Sequence, residues 1–254
     1  MIDFLSTVPL KDYSIFSGTL NQIGFAQKIL INTINQYSFC IAEQDAKFKN
    51  ALQRSDVLLP DGEAIVAAVH RLTGQKIKKI AGADIHLHLL HQLEQKKGSC
   101  FYLGSTEDTL LKIRARMAIE FPNVKVGTFS PPYQTEFTHD HKSKKVEAVN
   151  AFRPDVLFVG MTAPKQEKWA YSHKDYLDTK IICSIGAVFD FYAGTVERPN
   201  PFWINLRLEW FIRLVKEPRR MWKRYLYYGP VFVGLILREK VRRVVSGYPP
   251  GPLK

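Results

Sequence analysis

Long apolar runs are scarce in this chain, and the stretch from Tyr225 to Leu237 covers only thirteen residues, short of the roughly twenty that a membrane-crossing helix needs. Cysteine is equally thin. Cys40, Cys100 and Cys183 are an odd number at wide spacings inside apolar segments, so neither a disulfide framework nor a zinc site is indicated and a reducing cytosol is expected. The first ten residues carry Asp3 and lack both a basic start and a long apolar run, so no signal peptide is read and the protein is expected to stay inside the cell. Asp-x-Asp and His-Glu-x-x-His motifs are missing, and His86, His88 and His91 are spaced so that they do not share one helical face. Metal dependence is not indicated, and no cofactor is expected. The full glycine pattern of a dinucleotide fingerprint or a P-loop is also lacking, which argues against a nicotinamide-dependent oxidoreductase.

What is present is a globular composition, 46% hydrophobic and 24% charged over 254 residues, enough for one large domain or a domain with an appendage. Short β-rich runs alternate with helical patterns. Strands are expected at Lys28–Asn35, Val57–Leu59, Cys100–Leu103, Val124–Thr128, from Val156 and at Lys180–Ser184. Helices are expected at Tyr37–Arg54, Glu63–Leu72, Ala83–Gln95, Glu107–Glu120, Lys142–Phe152 and from Pro164. Such alternation implies crossover connections, hence an α/β fold: a mainly parallel, Rossmann-like sheet with helices on both faces. The rhythm stops after Gly194. Residues 1–194 are expected to form the catalytic domain and 195–254 a basic helical appendage.

Several strand ends carry polar groups. The apolar run from Val156 breaks at Gly160 and restarts as a helix near Pro164, bringing Lys165 and Gln166 to the carboxyl edge of the sheet, where phosphates settle; an ordinary strand-to-helix loop is the plain alternative. Asp61 follows a strand in Pro60-Asp61-Gly62, the placement of a catalytic base, although Asp before a helical run is also a favoured N-cap. Thr33 and Asn35 could orient a sugar or phosphate, or satisfy loose backbone groups. The turn Gly104-Ser105-Thr106 forms a second strand-to-helix mouth. Asp190, in the aromatic segment Gly186–Gly194, could face a substrate or pair with Arg198.

The charge is uneven. From Arg198 to Arg243, twelve Lys and Arg stand against Glu209, Glu217 and Glu239, so this segment carries +9 of the chain's net +12. One long helix is expected over Asn205–Tyr225, with Trp203, Leu206, Trp210 and Leu214 spaced as an apolar stripe and Arg207, Arg213, Arg220, Lys223 and Arg224 supplying charge. A basic amphipathic helix beside a short apolar one suits an anionic bilayer. Nucleic acid is the competing partner, and the Trp and Tyr content favours the membrane over it.

Taken in order, Thr-x-Asn at the first strand end, Leu-Pro-Asp-Gly, Phe-Tyr-Leu-Gly, Gly-x-x-Ala-Pro-Lys-Gln-Glu, Phe-Asp-Phe-Tyr-Ala-Gly, Glu-Trp-Phe-x-Arg-Leu and Glu-Pro-Arg-Arg resemble the WecG/TagA/CpsF glycosyltransferases, family 26, from about Ile29 to Tyr225. The resemblance implies metal-independent, inverting transfer from a UDP-sugar donor to an undecaprenyl-diphosphate-linked sugar acceptor at the cytoplasmic face of the membrane. Members build teichoic acid linkage units and other surface polysaccharides. It implies N-acetylmannosamine, its uronic acid or glucose as the transferred sugar, and a homo-oligomer. Asp61 becomes the candidate base, with Thr33 and Asn35 beside it. Gly104, Gly160, Gln166, Asp190 and Arg198 belong to the substrate pocket, and Arg213 and Arg220, with Lys223 or Arg224, would neutralise diphosphates. The chain departs from the common pattern at Ser130-Pro131-Pro132-Tyr133 and at Met161-Thr162, the latter in place of Leu-Gly. A non-catalytic nucleotide-binding module that docks through its basic tail is the alternative from another class.

Overall fold

The computed structural model describes residues 5–131, 139–196 and 209–245, without the side chains of residues 139–143, 209–210, 213, 216 and 220. A small antiparallel hairpin, β1 (Thr7–Leu10) and β2 (Tyr13–Phe16), precedes the main sheet. That sheet contains β3 (Ile29–Ile34), β4 (Val57–Pro60), β5 (Ser99–Gly104), β6 (Lys125–Phe129), β7 (Val156–Gly160) and β8 (Ile181–Ser184) in the order β4-β3-β8-β7-β5-β6, with every pairing parallel. The α/β class expected from the alternation is the observed one.

Parallel strands need crossovers, and the crossovers cover both faces. One face carries Ile31, Leu59, Tyr102, Phe158 and Cys183 into a core shared with α4 (Gly82–Lys96), α5 (Glu107–Glu120) and α8 (Gly186–Tyr192). The alternate residues Leu30, Leu103, Leu157, Val159 and Ile182 face Val149 of α6 (His139–Phe152) and Trp169 of α7 (Lys165–His173). A period of two along each strand therefore feeds two cores, which is why the strands read as continuous apolar runs.

Two local expectations are corrected. The Tyr37–Arg54 helix is two, α1 (Gln36–Ala42) and α2 (Ala46–Gln53), because the Asp45 side chain accepts the Phe48 N–H at 3.0 Å and caps a new start. Within the described part of Asn205–Tyr225 the helix is interrupted: α9 (Glu209–Lys216) stops at Glu217, whose backbone leaves the helical region, and Pro218 opens α10 (Pro218–Trp222). Proline has no N–H to give the preceding turn and suits the first position of a new helix. Trp203, Leu206, Arg207 and Arg198 lie outside the described residues, as do the side chains of Trp210, Arg213 and Arg220.

A π-helical turn (Lys223–Tyr227) leads into α11 (Tyr228–Val245). Tyr228, Phe232 and Ile236 are buried in a third cluster with Phe39 and Cys40 of α1 and Ala68 and Val69 of α3 (Glu63–Thr73). The Phe39 and Phe232 rings meet edge to face at 5.2 Å, and the Tyr37 and Tyr228 rings at 5.1 Å. Each buried aromatic contributes about 1.5–3 kcal/mol, so α11 is docked on the α/β body. Among the described residues, no helix is long and apolar enough to cross a membrane.

Candidate active site

All main-sheet strands point the same way, so the helices that follow them start at one edge. Their first N–H groups have no partner within the helix and carry partial positive charge. A cavity of about 270 Å³ opens there, lined by Thr33 and Asn35 after β3, Asp61 after β4, Ser105 after β5, Gly160 and Thr162 after β7, and Gly186 after β8. The small trio Ala81-Gly82-Ala83 at the start of α4 closes another side. A second cavity of about 480 Å³ lies between the start of α3 and the C-terminal helices, lined by Gly62, Glu63, Lys79, Arg224, Leu226, Phe232 and Val233 among others. Asn35, Tyr37, Asp61 and Arg224 belong to both cavities.

Asp61 is held by its backbone N–H, which donates to Ile34 O at 2.9 Å, and Ile80 N donates to Pro60 O at 3.0 Å. The residue does not cap α3. The cap is Gly62, at φ 143° and without a side-chain hydrogen bond; an acid that served only as a helix cap would hold that position. Asn35 does cap: its Oδ1 accepts from Tyr37 N at 3.1 Å and Ser38 N at 3.0 Å, while the Ser38 hydroxyl and the Asn35 backbone close a reciprocal box. Its oxygen is thus engaged by α1, and its amide nitrogen is the end left for a ligand. Arg224 lies with its guanidinium 4.8 Å from the centre of the Tyr37 ring, a stacking contact that steadies the cation over the shared wall.

The turns after β5 and β7 are knitted together. Ser105 N donates to Gly160 O at 3.1 Å, and a Cβ on Gly104 would stand 2.4 Å from that same oxygen, so only glycine allows the two turns to approach. Gly104 therefore shapes the site from behind, while Ser105 lines the cavity. Gln166 bridges the next gap: its Nε2 donates to Glu167 Oε1 at 2.9 Å, and its Oε1 accepts from Gly186 N at 3.2 Å. Glu167 is buried, and burial pushes its carboxyl up to about 7. Asp190, half-buried on α8, lines the same cavity, and its carbonyl accepts from Thr195 N and Val196 N.

The structure thus brings Thr33, Asn35, Asp61, Gly160, Gln166, Asp190 and Arg224 around adjoining cavities. The linings also hold residues not read as candidates from sequence: Tyr37, Lys79, Gly186 and the Ala81–Ala83 trio. Small residues directly before a helical pattern are the signal that marks Gly186 and the trio. Tyr37 follows the Asn35 cap in the first turn of α1, and Lys79 offers no signal because tertiary packing alone brings it to the cleft.

Comparison with known proteins gives the same direction. Residues 6–245 match the model of the glycosyl transferase WecG/TagA/CpsF family. An N-acetylglucosaminyldiphosphoundecaprenol N-acetyl-beta-D-mannosaminyltransferase of Bacillus subtilis (strain 168) is 32% identical over 217 residues, 84% of this chain and 82% of the relative. Proteins of the same name from Bacillus spizizenii (28% identical; 78% and 75% covered) and Staphylococcus aureus strain MW2 (25%; 84% and 81%) are also similar. With a family match spanning nearly its whole length, the chain belongs to the WecG/TagA/CpsF family of glycosyl transferases.

Proposed function

We propose that the protein transfers N-acetylmannosamine, with inversion, from a UDP-sugar to N-acetylglucosamine carried on undecaprenyl diphosphate, as in assembly of a teichoic acid linkage unit. The observation that carries this reading is Asp61 on the wall common to two cavities: a displacement between two substrates needs its base where both can reach it. The names of the similar proteins specify this sugar pair and favour it over the uronic acid and glucose.

In the proposed step the Asp61 carboxylate takes the proton of the acceptor hydroxyl as its oxygen bonds to the anomeric carbon. The bond from that carbon to the UDP oxygen breaks with its electron pair left on the diphosphate. Helix-start N–H groups of α4 and α8, with Arg224 and the C-terminal arginines Arg198, Arg213 and Arg220, meet the developing charge in place of a metal. Thr33 and Asn35 orient the sugars, and Gly160, Gln166 and Asp190 hold the nucleotide side. The larger cavity suits the acceptor: Lys79 and Arg224 can meet a diphosphate, and Leu226, Phe232 and Val233 can meet the start of a prenyl chain. The basic C-terminal helices would lie on the anionic inner face of the membrane, where this acceptor resides.

The test is transfer from UDP-N-acetylmannosamine to a lipid-diphosphate N-acetylglucosamine, with products read by mass spectrometry. Asp61→Asn is expected to lose about 10²–10⁴ in kcat with UDP affinity retained, and a chelator is expected to leave the wild-type rate unchanged. Full turnover of Asp61→Asn removes Asp61 from the mechanism. UDP binding without transfer to any lipid-linked sugar favours a non-catalytic nucleotide-binding module.

A further inference from the structure

Two polar residues in the first turn of α7, Gln166 and Glu167, are almost wholly buried. An acid near a helix N-terminus normally reaches water, where the helix dipole favours its charge. Glu167 does the opposite: its carboxyl lies inside, with Oε1 on the Gln166 amide at 2.9 Å and Oε2 without a hydrogen-bond partner among the described residues. Burying such a group without full hydrogen bonding costs stability, so its presence points to a task that an apolar side chain cannot perform. The neighbouring Lys168 does not compensate it, because Lys168 pairs with Asp45.

The task is visible in Gln166. A primary amide has one acceptor oxygen and a nitrogen with two donors, and exchanging the ends reverses what it offers a ligand. Here both ends are claimed. Gly186 N–H takes the oxygen at 3.2 Å, and Glu167 takes one hydrogen of the nitrogen. The second N–H of that nitrogen is left for a ligand in the 270 Å³ cavity that Gln166 lines. We propose that Glu167 is a positioning residue for the donor side of the cleft: it holds the Gln166 amide in one orientation, so that a donor N–H and not a carbonyl meets the acceptor oxygens of the sugar nucleotide. This inference rests on the UDP-sugar reading of the cavity. Burial supports it further by keeping the Glu167 acid neutral up to about pH 7, which limits its repulsion of a bound diphosphate.

Calorimetric titration with UDP tests the idea in wild type, Gln166→Ala, Glu167→Met, Glu167→Gln and the Gln166→Ala/Glu167→Met double variant, with melting curves to follow folding. Glu167→Met removes the acceptor at similar volume and is expected to weaken UDP roughly tenfold, about one hydrogen bond. Glu167→Gln, whose oxygen can still accept, recovers most of that affinity. The double variant should bind no more weakly than Gln166→Ala alone, since Glu167 acts only through Gln166. Gly186→Ala gives an independent arm, because its Cβ would stand 2.4 Å from Gln166 Oε1 and displace the amide from the other end. If Glu167→Met does not fold, the Gln166 side-chain amide signals of wild type decide the matter by NMR: one proton should be protected and the other should shift when UDP is added. Wild-type affinity in Glu167→Met beside a loss in Gln166→Ala overturns the positioning role and leaves the donor-site reading standing. Equal losses in Glu167→Met and Glu167→Gln, additivity in the double variant, or two unprotected protons indifferent to UDP also overturn it. A wild-type protein that does not bind UDP sinks the donor-site reading, and this inference with it.

Discussion

Thr162 has φ 65°, a left-handed backbone that costs a β-branched residue about 1–2 kcal/mol and costs glycine nothing sterically. Strained residues cluster where a site over-determines the backbone, and Ser105, across the Gly104–Gly160 contact, has φ 63° as well. Thr162→Gly should therefore raise stability, but only by up to about 1 kcal/mol, because glycine gives back about 0.5–1 kcal/mol as unfolded-state entropy. Gly104→Ala should do the reverse. At φ 111°, with Gly160 O 2.4 Å from the new Cβ, the obstruction is backbone and cannot rotate away, so a loss of roughly 2 kcal/mol or more is expected. Denaturant melts of the two variants check the pair, and opposite signs are required.

Among the elements, α11 has two apolar sides. Tyr228, Phe232 and Ile236 face the body, while Val233, Leu237, Val241 and Val244 form an exposed stripe along the same helix, with Arg238 and Arg242 also exposed. The two sides predict separable defects. Phe232→Ala should cost about 3–5 kcal/mol through the cavity it opens, whereas Leu237→Asp or Val241→Asp should leave the melting temperature within about 1 °C and abolish flotation with anionic vesicles. Retained flotation in the aspartate variants would remove α11 from the membrane contact. The same helix shows what periodicity conveys and what it leaves out. Five of the six main strands were legible because a strand buried on both faces is an apolar run of fixed short length bounded by polar punctuation, while β6, half-buried at the sheet edge, was marked by its place between two helical patterns. From Tyr225 to Leu237, by contrast, both sides of a helix are apolar, so the pattern shows no polar face and does not say where the helix ends or which side docks. The β1–β2 hairpin was passed over because each strand has only four residues, too few to register a period. The breaks at Asp45 and Pro218 were signalled by a capping acid and a proline inside helical spacing, and these outweigh the surrounding pattern. In the site, Asp61, Thr33 and Gln166 were legible because strand ends in a parallel sheet, and the helix starts that follow them, share an edge; Lys79 was not, since it stands in the connection between α3 and α4.

Across the whole molecule, two buried titratable groups on opposite faces of the sheet set opposing pH dependences. His86 is buried beneath β5, with Nε2 2.7 Å from the Tyr102 hydroxyl and its ring against Phe158 and Tyr192, and burial lowers it to about 3. The unfolded chain binds that proton below about pH 6.5, so stability is whole above pH 6.5 and falls as pH drops towards 3, by roughly 5 kcal/mol in all. Glu167 behaves in reverse. Raised from 4.5 to about 7, it retains a proton that the unfolded chain releases, so its contribution is whole below pH 4.5 and is lost as pH rises through 7, by roughly 3 kcal/mol. Between pH 4.5 and 6.5 the two slopes have equal size and opposite sign. Wild type should therefore be nearly flat in that window with respect to these groups, then fall steeply at lower pH, where Asp12, Asp45, Asp155 and Glu239, all lowered by cationic partners or hydrogen bonds although burial opposes it, add their own losses. Glu167→Gln removes one limb. Its unfolding free energy should climb from pH 4.5 to 6.5 by about 2.7 kcal/mol more than that of wild type, the proton linkage of His86 over two units. Denaturant melts across that range measure the difference. A Glu167→Gln curve parallel to wild type would mean that the buried acid is already ionised in the fold, and would take with it the neutral carboxyl behind the cavity wall.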